Sequence, residues 1–346
     1  MTQMRYNWKR FWCPREGRLD LSDGGYLRDP DSDKYHIYNP DVVPFSSISE
    51  VPFLILLGEP GIGKTSAMNA ERMAIDKKID EDGNQTLWLD LRSYGSEDRL
   101  IRELFENQTF DSWKQDNFRL YLFLDSLDEC LLRIDNLAAL LVDKLKMYPV
   151  ERLNLRIACR TANWPNMLEN EFKDVWEKNA VKVYELAPLR RIDVIEAAKA
   201  NSIDSGAFLS EIDRNNAVPF AIKPITLEFL INKYKKDGRI PNDQTELYFD
   251  GCLKLCEEIG KSRPPSARKL SAQQHLAVAS RIAAITIFSK RYAIWAGIDL
   301  GNVPEEDVKS SRLSGGNERI DVDRFDVTEE ALKETLDTGL FSSRGP

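Results

Sequence analysis

The chain has 346 residues, 42% hydrophobic and 30% charged, too rich in aliphatic and aromatic side chains for wholesale disorder and long enough for more than one domain. Its 48 lysines and arginines are outnumbered by 56 aspartates and glutamates, a net charge of −8. General nucleic-acid binders are basic, so no direct nucleic-acid binding is expected.

Residues 1–50 carry turn residues throughout with little periodicity and read as an irregular lead-in. Their first part interleaves Arg5, Lys9, Arg10, Arg15 and Arg18 with Tyr6, Trp8, Phe11 and Trp12. Such a pattern can bind a nucleic-acid strand; an arm packing its aromatics onto its own core is the simpler expectation. From Pro52 the texture changes. Phe53–Leu57 (FLILL) is a continuous apolar run, as expected of a strand buried on both faces of a parallel sheet. A helical stretch follows Lys64, with an apolar face at Ala67, Met68 and Ile75.

The alternation then repeats. Strands are expected at 86–91, 119–125, 155–159 and 181–186, with helices at 97–106 and 137–147 and a short one before the last strand. Strands alternating with helices indicate an α/β domain with a mostly parallel sheet. After Pro188 the strands stop, and helices fit 192–201, 208–215, 225–235, 246–259 and 273–289. Breaks at 236–243 and 261–269 read as linkers or turns. The tail reads as a loop at 309–318, a helix at 328–337, and then TGLFSSRGP.

The strongest signal lies after the first core strand. Gly58-Glu59-Pro60-Gly61-Ile62-Gly63-Lys64-Thr65 matches GxxxxGK[ST], with Ser66 next in the helix. Glycines let the loop curl so that backbone N–H groups face phosphate oxygens, and the following helix adds its positive end. Lys64 then supplies charge to the β- and γ-phosphates, and the Thr65 hydroxyl a ligand to Mg²⁺. A second signal is the strand ending in Asp125-Ser126-Leu127-Asp128-Glu129. Asp125 stands where a carboxylate can hold hydrated Mg²⁺, and Asp128 and Glu129 compete to polarise the attacking water.

GEPGIGKT followed by FLDSLDE resembles the NACHT branch of the STAND P-loop NTPases, with Ser126 in the small position and Asp128 and Glu129 as the acidic pair. WLDLRSY (88–94), IACRT (157–161), YELAPLRRIDV (184–194), KPITLEFL (223–230) and TGLF (338–341) are similar to further segments of that family, and GYLRDPDS with VPFSSI to the lead-in of bacterial antiviral members. The resemblance implies a three-layer α/β P-loop NTPase core at 51–188, a helical lid at 189–242 and a winged-helix-like domain at 243–346. It implies ATP/ADP and Mg²⁺ as ligands, Arg160 facing the γ-phosphate and Pro224 against the adenine. It also implies slow hydrolysis, a homo-oligomer in the ATP state, a role in antiviral or stress defence, and trigger-sensing and effector domains outside this chain.

The chain departs from the family in one respect. Neither His36 nor His275 lies where the winged-helix domain supplies a histidine to the phosphates, and Pro346 would fall inside that domain's hairpin, so a longer parent is expected. An AAA+ type remodelling ATPase and a non-hydrolysing nucleotide scaffold are the alternatives.

The remaining features set the setting. Cys13, Cys130, Cys159, Cys252 and Cys256 form no CxxC pair, and two histidines do not make a zinc site. An odd, unframed cysteine count suits a reducing compartment. The N-terminus is no secretory signal, Val51–Leu57 is too short to span a bilayer, and Leu276–Phe288 is interrupted by Ser280 and Arg281. A cytoplasmic protein without membrane contact is expected.

Overall fold

The structure, a computed structural model, describes residues 6, 8–32, 36–77, 83–94, 96–130, 134–161, 164, 166–176, 180–241, 243–257, 270–291, 293–295, 303 and 307–341. The chain divides into two compact units, Met1–Lys236 and Asp237–Arg344.

The first unit is built on a seven-stranded sheet. Its strands are β1 (Phe11–Pro14), β2 (Val43–Pro44), β3 (Phe53–Leu57), β4 (Gln85–Asp90), β5 (Leu120–Asp125), β6 (Leu153–Cys159) and β7 (Val181–Leu186), in the order β2-β1-β7-β3-β6-β5-β4. Strands β3 to β7 are mutually parallel, whereas β1 and β2 add an antiparallel edge. Between the strands run α1 (Lys64–Asp76), α2 (Glu97–Phe105), α3 (Gln108–Gln115), α4 (Ile134–Leu145) and α5 (Asn166–Val175).

The side-chain period of two explains the layering. Phe53, Ile55 and Leu57 of β3 point to one face, where Leu104, Trp113, Leu145 and Phe172 from α2 to α5 cover them. Leu54 and Leu56 point to the other, against Met68 of α1, Phe123, and Trp12 and Phe45 of the lead-in. Helices thus cover both faces of a mostly parallel sheet, which is the three-layer α/β core of a P-loop NTPase. Local chemistry sets the helix starts: the Ser96 and Asn107 side chains accept from the Arg99 and Phe110 N–H groups to cap α2 and α3.

Beyond β7 come α6 (Arg191–Ala200), α7 (Ser205–Arg214), the single turn α8 (Val218–Ala221) and α9 (Pro224–Asp237). The lead-in is more ordered than its composition suggests. Trp12 is fully buried and pairs with Leu186. Arg190 bridges Asp29 and Asp193, and Arg191 pairs with Asp23, so ion pairs tie the lead-in to α6.

The second unit holds α10 (Gln244–Cys256), α11 (Ala272–Ser289) and α12 (Glu329–Leu336). The strands β8 (Ala293–Trp295) and β9 (Asp307–Lys309) pair in parallel, and β10 (Asn317–Ile320) and β11 (Asp323–Asp326) form a hairpin. Its core gathers Val278, Ile282, Leu313, Val327 and Leu332. Beside it His275 Nδ1 lies 3.0 Å from Thr335 Oγ1, and its Nε2 lies 3.4 Å from Glu334. The hairpin at 317–326 replaces part of the loop expected at 309–318. The break at 261–269 and the segment 342–346 after TGLF lie outside the described residues. All five cysteines are free thiols.

Candidate functional site

In parallel strands all C-terminal ends lie on one edge, and that edge gathers the site. Register places Leu57 beside Cys159 and Asp90 beside Asp125. The loop Gly58–Gly63 leaves β3 there and turns into α1. Gly63 is the residue before the helix and has φ +96°, a left-handed conformation suited to glycine. A Cβ on it would lie 3.0 Å from Arg10 Nη1 and 3.4 Å from Pro224 Cγ. Unlike α2 and α3, α1 begins on a residue with no side chain to cap it, so its first N–H groups are left for an anion.

Lys64 Nζ donates to the carbonyls of Gly58 at 2.6 Å and Glu59 at 3.2 Å, arching over the loop it follows. Pro60 and Ile62 are buried, while Glu59, Thr65 and Ser66 are exposed. Glu59 is ion-paired with Lys223, the residue before Pro224. Pro224 opens α9 and its ring stands next to Gly63, so the start of α9 is brought onto the phosphate loop.

Asp125 ends β5 and is buried, and the neighbouring Thr65 hydroxyl favours its charged form. Burial pushes its pKa up to about 6, while Thr65, Arg92 and Lys64 act in the opposite direction. Arg92 is held by Asp90, with its Nε 2.8 Å from Oδ1. Asp125 Oδ2 is buried with no hydrogen-bond partner. A buried carboxylate oxygen without a donor, next to a threonine hydroxyl, fits a Mg²⁺ site. Mg²⁺ is usually held by one or two protein groups together with substrate phosphates.

Strand β6 lies between β3 and β5, so its C-terminal end faces the space between loop and carboxylate. Arg160 follows that strand. Its backbone N–H donates to Asp128 Oδ1 at 3.0 Å, and its Nε sits 3.1 Å from Asp128 Oδ2. The thiol of Cys159 lies beside Asp128, and its own pKa is raised chiefly by burial. The backbone and the guanidinium of Arg160, at the end of β6, thus both hold this carboxylate, and it is only 3% exposed. Ser126, at φ 60°, makes the reversal that turns Asp128 back toward β6. The backbone of Glu129 ends the single 3-10 turn Leu127–Glu129, while its side chain lies outside the described ones.

The site therefore brings together Lys64, Thr65, Asp125, Asp128, Arg160 and Pro224. Sequence reasoning missed two participants, Arg10 and Lys223. Arg10 Nη1 donates to Ile62 O at 2.9 Å and its Nη2 to Ala187 O at 2.7 Å. Lys223 opens the segment KPITLEFL and Arg10 lies in the aromatic-rich lead-in, but only contacts made across the chain bring either to the loop.

No family model matches the chain, and no curated protein matches it. Among solved structures, the Walker-type ATPase PABY2304 of Pyrococcus abyssi aligns over 92% of this chain and 98% of its own, at 13% identity and TM-score 0.39. The Thermotoga maritima RuvB Holliday junction branch migration motor aligns over 87% and 90%, at 14% identity and TM-score 0.38. The replication initiator DnaA bound to AMPPCP and single-stranded DNA aligns over 70% and 67%, at 12% identity and TM-score 0.38. Scores this low carry no argument of their own.

Proposed function

We propose that this protein is an ATP-binding, slowly ATP-hydrolysing switch of the NACHT-like STAND type. The observation that carries the nucleotide reading is the buried, unpartnered Asp125 Oδ2 beside Thr65 at the mouth of a GxxxxGKT loop. Mg²⁺ held between Thr65, Asp125 and the substrate phosphates would neutralise charge on the β- and γ-oxygens. Lys64 exchanges its two carbonyl contacts for the phosphates, and the uncapped N–H groups of α1 receive the oxygens.

Arg160, held by Asp128, meets the γ-phosphate and stabilises the charge that develops there. With both oxygens of Asp128 committed to Arg160, Glu129 is assigned to orient the attacking water. The switch reading is supported by the sequence resemblance and by Pro224 and Lys223 at the phosphate loop. Through them, loss of the γ-phosphate biases how the helices after β7 sit on the core. Self-association in the ATP state, a role in antiviral or stress defence, and sensing and effector domains outside the chain follow from the same resemblance, and a cytoplasmic location from the odd, unframed cysteine count. No helix among the described residues is long and apolar enough to cross a membrane.

The test begins with the nucleotide released on denaturing the purified protein. A near-equal amount of ADP supports a switch, whereas fast turnover in a stable ring points to a remodelling ATPase. Lys64→Ala should abolish binding, and retained affinity would sink the phosphate-site reading. Glu129→Gln should lower kcat by about 10²- to 10⁴-fold with binding intact. Hydrolysis that is negligible already in the wild type points instead to a nucleotide scaffold.

A further inference from the structure

Arg10 precedes the first strand of the sheet, far in sequence from the phosphate loop, yet its guanidinium reaches the loop's outer side. One nitrogen donates to Ile62 O at 2.9 Å, the other to Ala187 O at 2.7 Å. The backbone repeats the tie, since the Ala187 N–H donates to Phe11 O at 2.9 Å. Both peptide groups of Ala187 are thus engaged by residues 10 and 11, and the guanidinium spans from that anchor to the loop.

The Ile62–Gly63 peptide is planar and trans, so its carbonyl and its N–H point in opposite directions. With the carbonyl of Ile62 fixed on Arg10, the N–H of Gly63 is turned away from Arg10. Only glycine takes the φ of +96° at this place easily, and glycine is also the residue freest to rotate out of it. The loop therefore contains a flexible peptide whose direction decides whether a phosphate-binding N–H is presented.

Burial lowers the Arg10 pKa to about 10, with Asp193 opposing and Arg190 adding to the shift. The group remains a cation at neutral pH, and a charged donor polarises the peptide it holds.

We propose that Arg10 is a positioning residue for the nucleotide: it holds the Ile62–Gly63 peptide so that the Gly63 N–H faces the β-phosphate, and thereby couples docking of the lead-in strand to nucleotide affinity. The proposal rests on the nucleotide-binding reading above and adds a residue to it. It assigns to the N-terminal segment a part in ligand binding that the GxxxxGKT motif does not contain. It also predicts that AMP, which has no β-phosphate, gains nothing from the device.

The full chain carrying Arg10→Met or Arg10→Lys is compared with wild type by calorimetric titration with MgADP, alongside the melting temperature of each ligand-free protein. A charge-assisted hydrogen bond of this kind corresponds to roughly 10- to 100-fold in affinity, so Arg10→Met should bind MgADP about that much more weakly. Arg10→Lys, which keeps the charge but reaches only one carbonyl, should fall between the two with an unchanged melting temperature. In an amide-resolved NMR spectrum the Gly63 resonance should move in both variants before nucleotide is added.

Wild-type affinity in both variants, or an unmoved Gly63 amide, overturns the proposal while leaving the nucleotide reading intact. If Arg10→Met does not fold, Arg10→Lys decides: a loss of about 3-fold or more at unchanged melting temperature supports the proposal, and equal affinity overturns it. Failure of the wild type to bind MgADP or MgATP overturns the nucleotide reading first and this proposal with it.

Discussion

Two carboxylates three residues apart have opposite fates at the end of β5. Asp125 keeps an oxygen without a donor, whereas both oxygens of Asp128 are engaged by Arg160. An acid whose two oxygens are both engaged is a poor acceptor for a water proton, and it makes a firm mount for a cation. Asp128→Asn removes the charge partner of a largely buried guanidinium, and breaking such a pair costs about 3–5 kcal/mol. The variant should therefore melt earlier and also hydrolyse ATP more slowly, because Arg160 loses its orientation. Glu129→Gln should lower kcat without moving the melting temperature. Measuring both quantities for both variants separates the roles, and a stable, slow Asp128→Asn protein would reverse the assignment. The sequence alone could not make this distinction, since Asp128 and Glu129 are adjacent and equally acidic. Only the neighbouring strand end shows that Asp128 is engaged.

At the level of elements, β1 does more than its four residues suggest. It closes the β7 edge of the sheet, buries Trp12 against Phe45, Leu54 and Leu186, and delivers Arg10 to the loop. Trp12→Ala should destabilise the protein by about 3–5 kcal/mol in urea unfolding and weaken nucleotide binding at the same time. An unaffected affinity would show that β1 is packing alone. The parallel strands were legible in the sequence because FLILL and LYLFL are apolar on both faces, and the phosphate loop because its chemistry tolerates little change in spacing. β1 was not: a strand of FWCP has no pattern of its own, and its pairing partner is remote in sequence. α3 was missed because QTFDSWKQ completes barely two turns, too few for a helical period. The hairpin NERIDVDRFD was missed because its strands face solvent with charged residues, which read as loop. Pro224 was expected against the adenine by resemblance only; in the structure its ring stands close to Gly63 of the phosphate loop.

Across the whole molecule, every residue assigned to the nucleotide lies in the unit Met1–Lys236. A chain ending at Lys236 should therefore fold, melt in a single transition and bind MgADP within about threefold of the full protein. A loss of binding in that shorter chain would mean that residues after Asp237 contribute to the site. The pairing of Trp12 with Leu186 has a further consequence, for the timing of synthesis. The first strand leaves the ribosome about 170 residues ahead of its partner, a wait of roughly 10–35 s at 5–20 residues per second. During that interval Phe11 and Trp12 have no sheet to join, and the loop that follows β3 is already made but not yet anchored. The nascent chain thus carries an exposed apolar segment until β7 emerges, which makes it a natural client for a chaperone, and a nucleotide pocket that cannot be completed before that strand arrives.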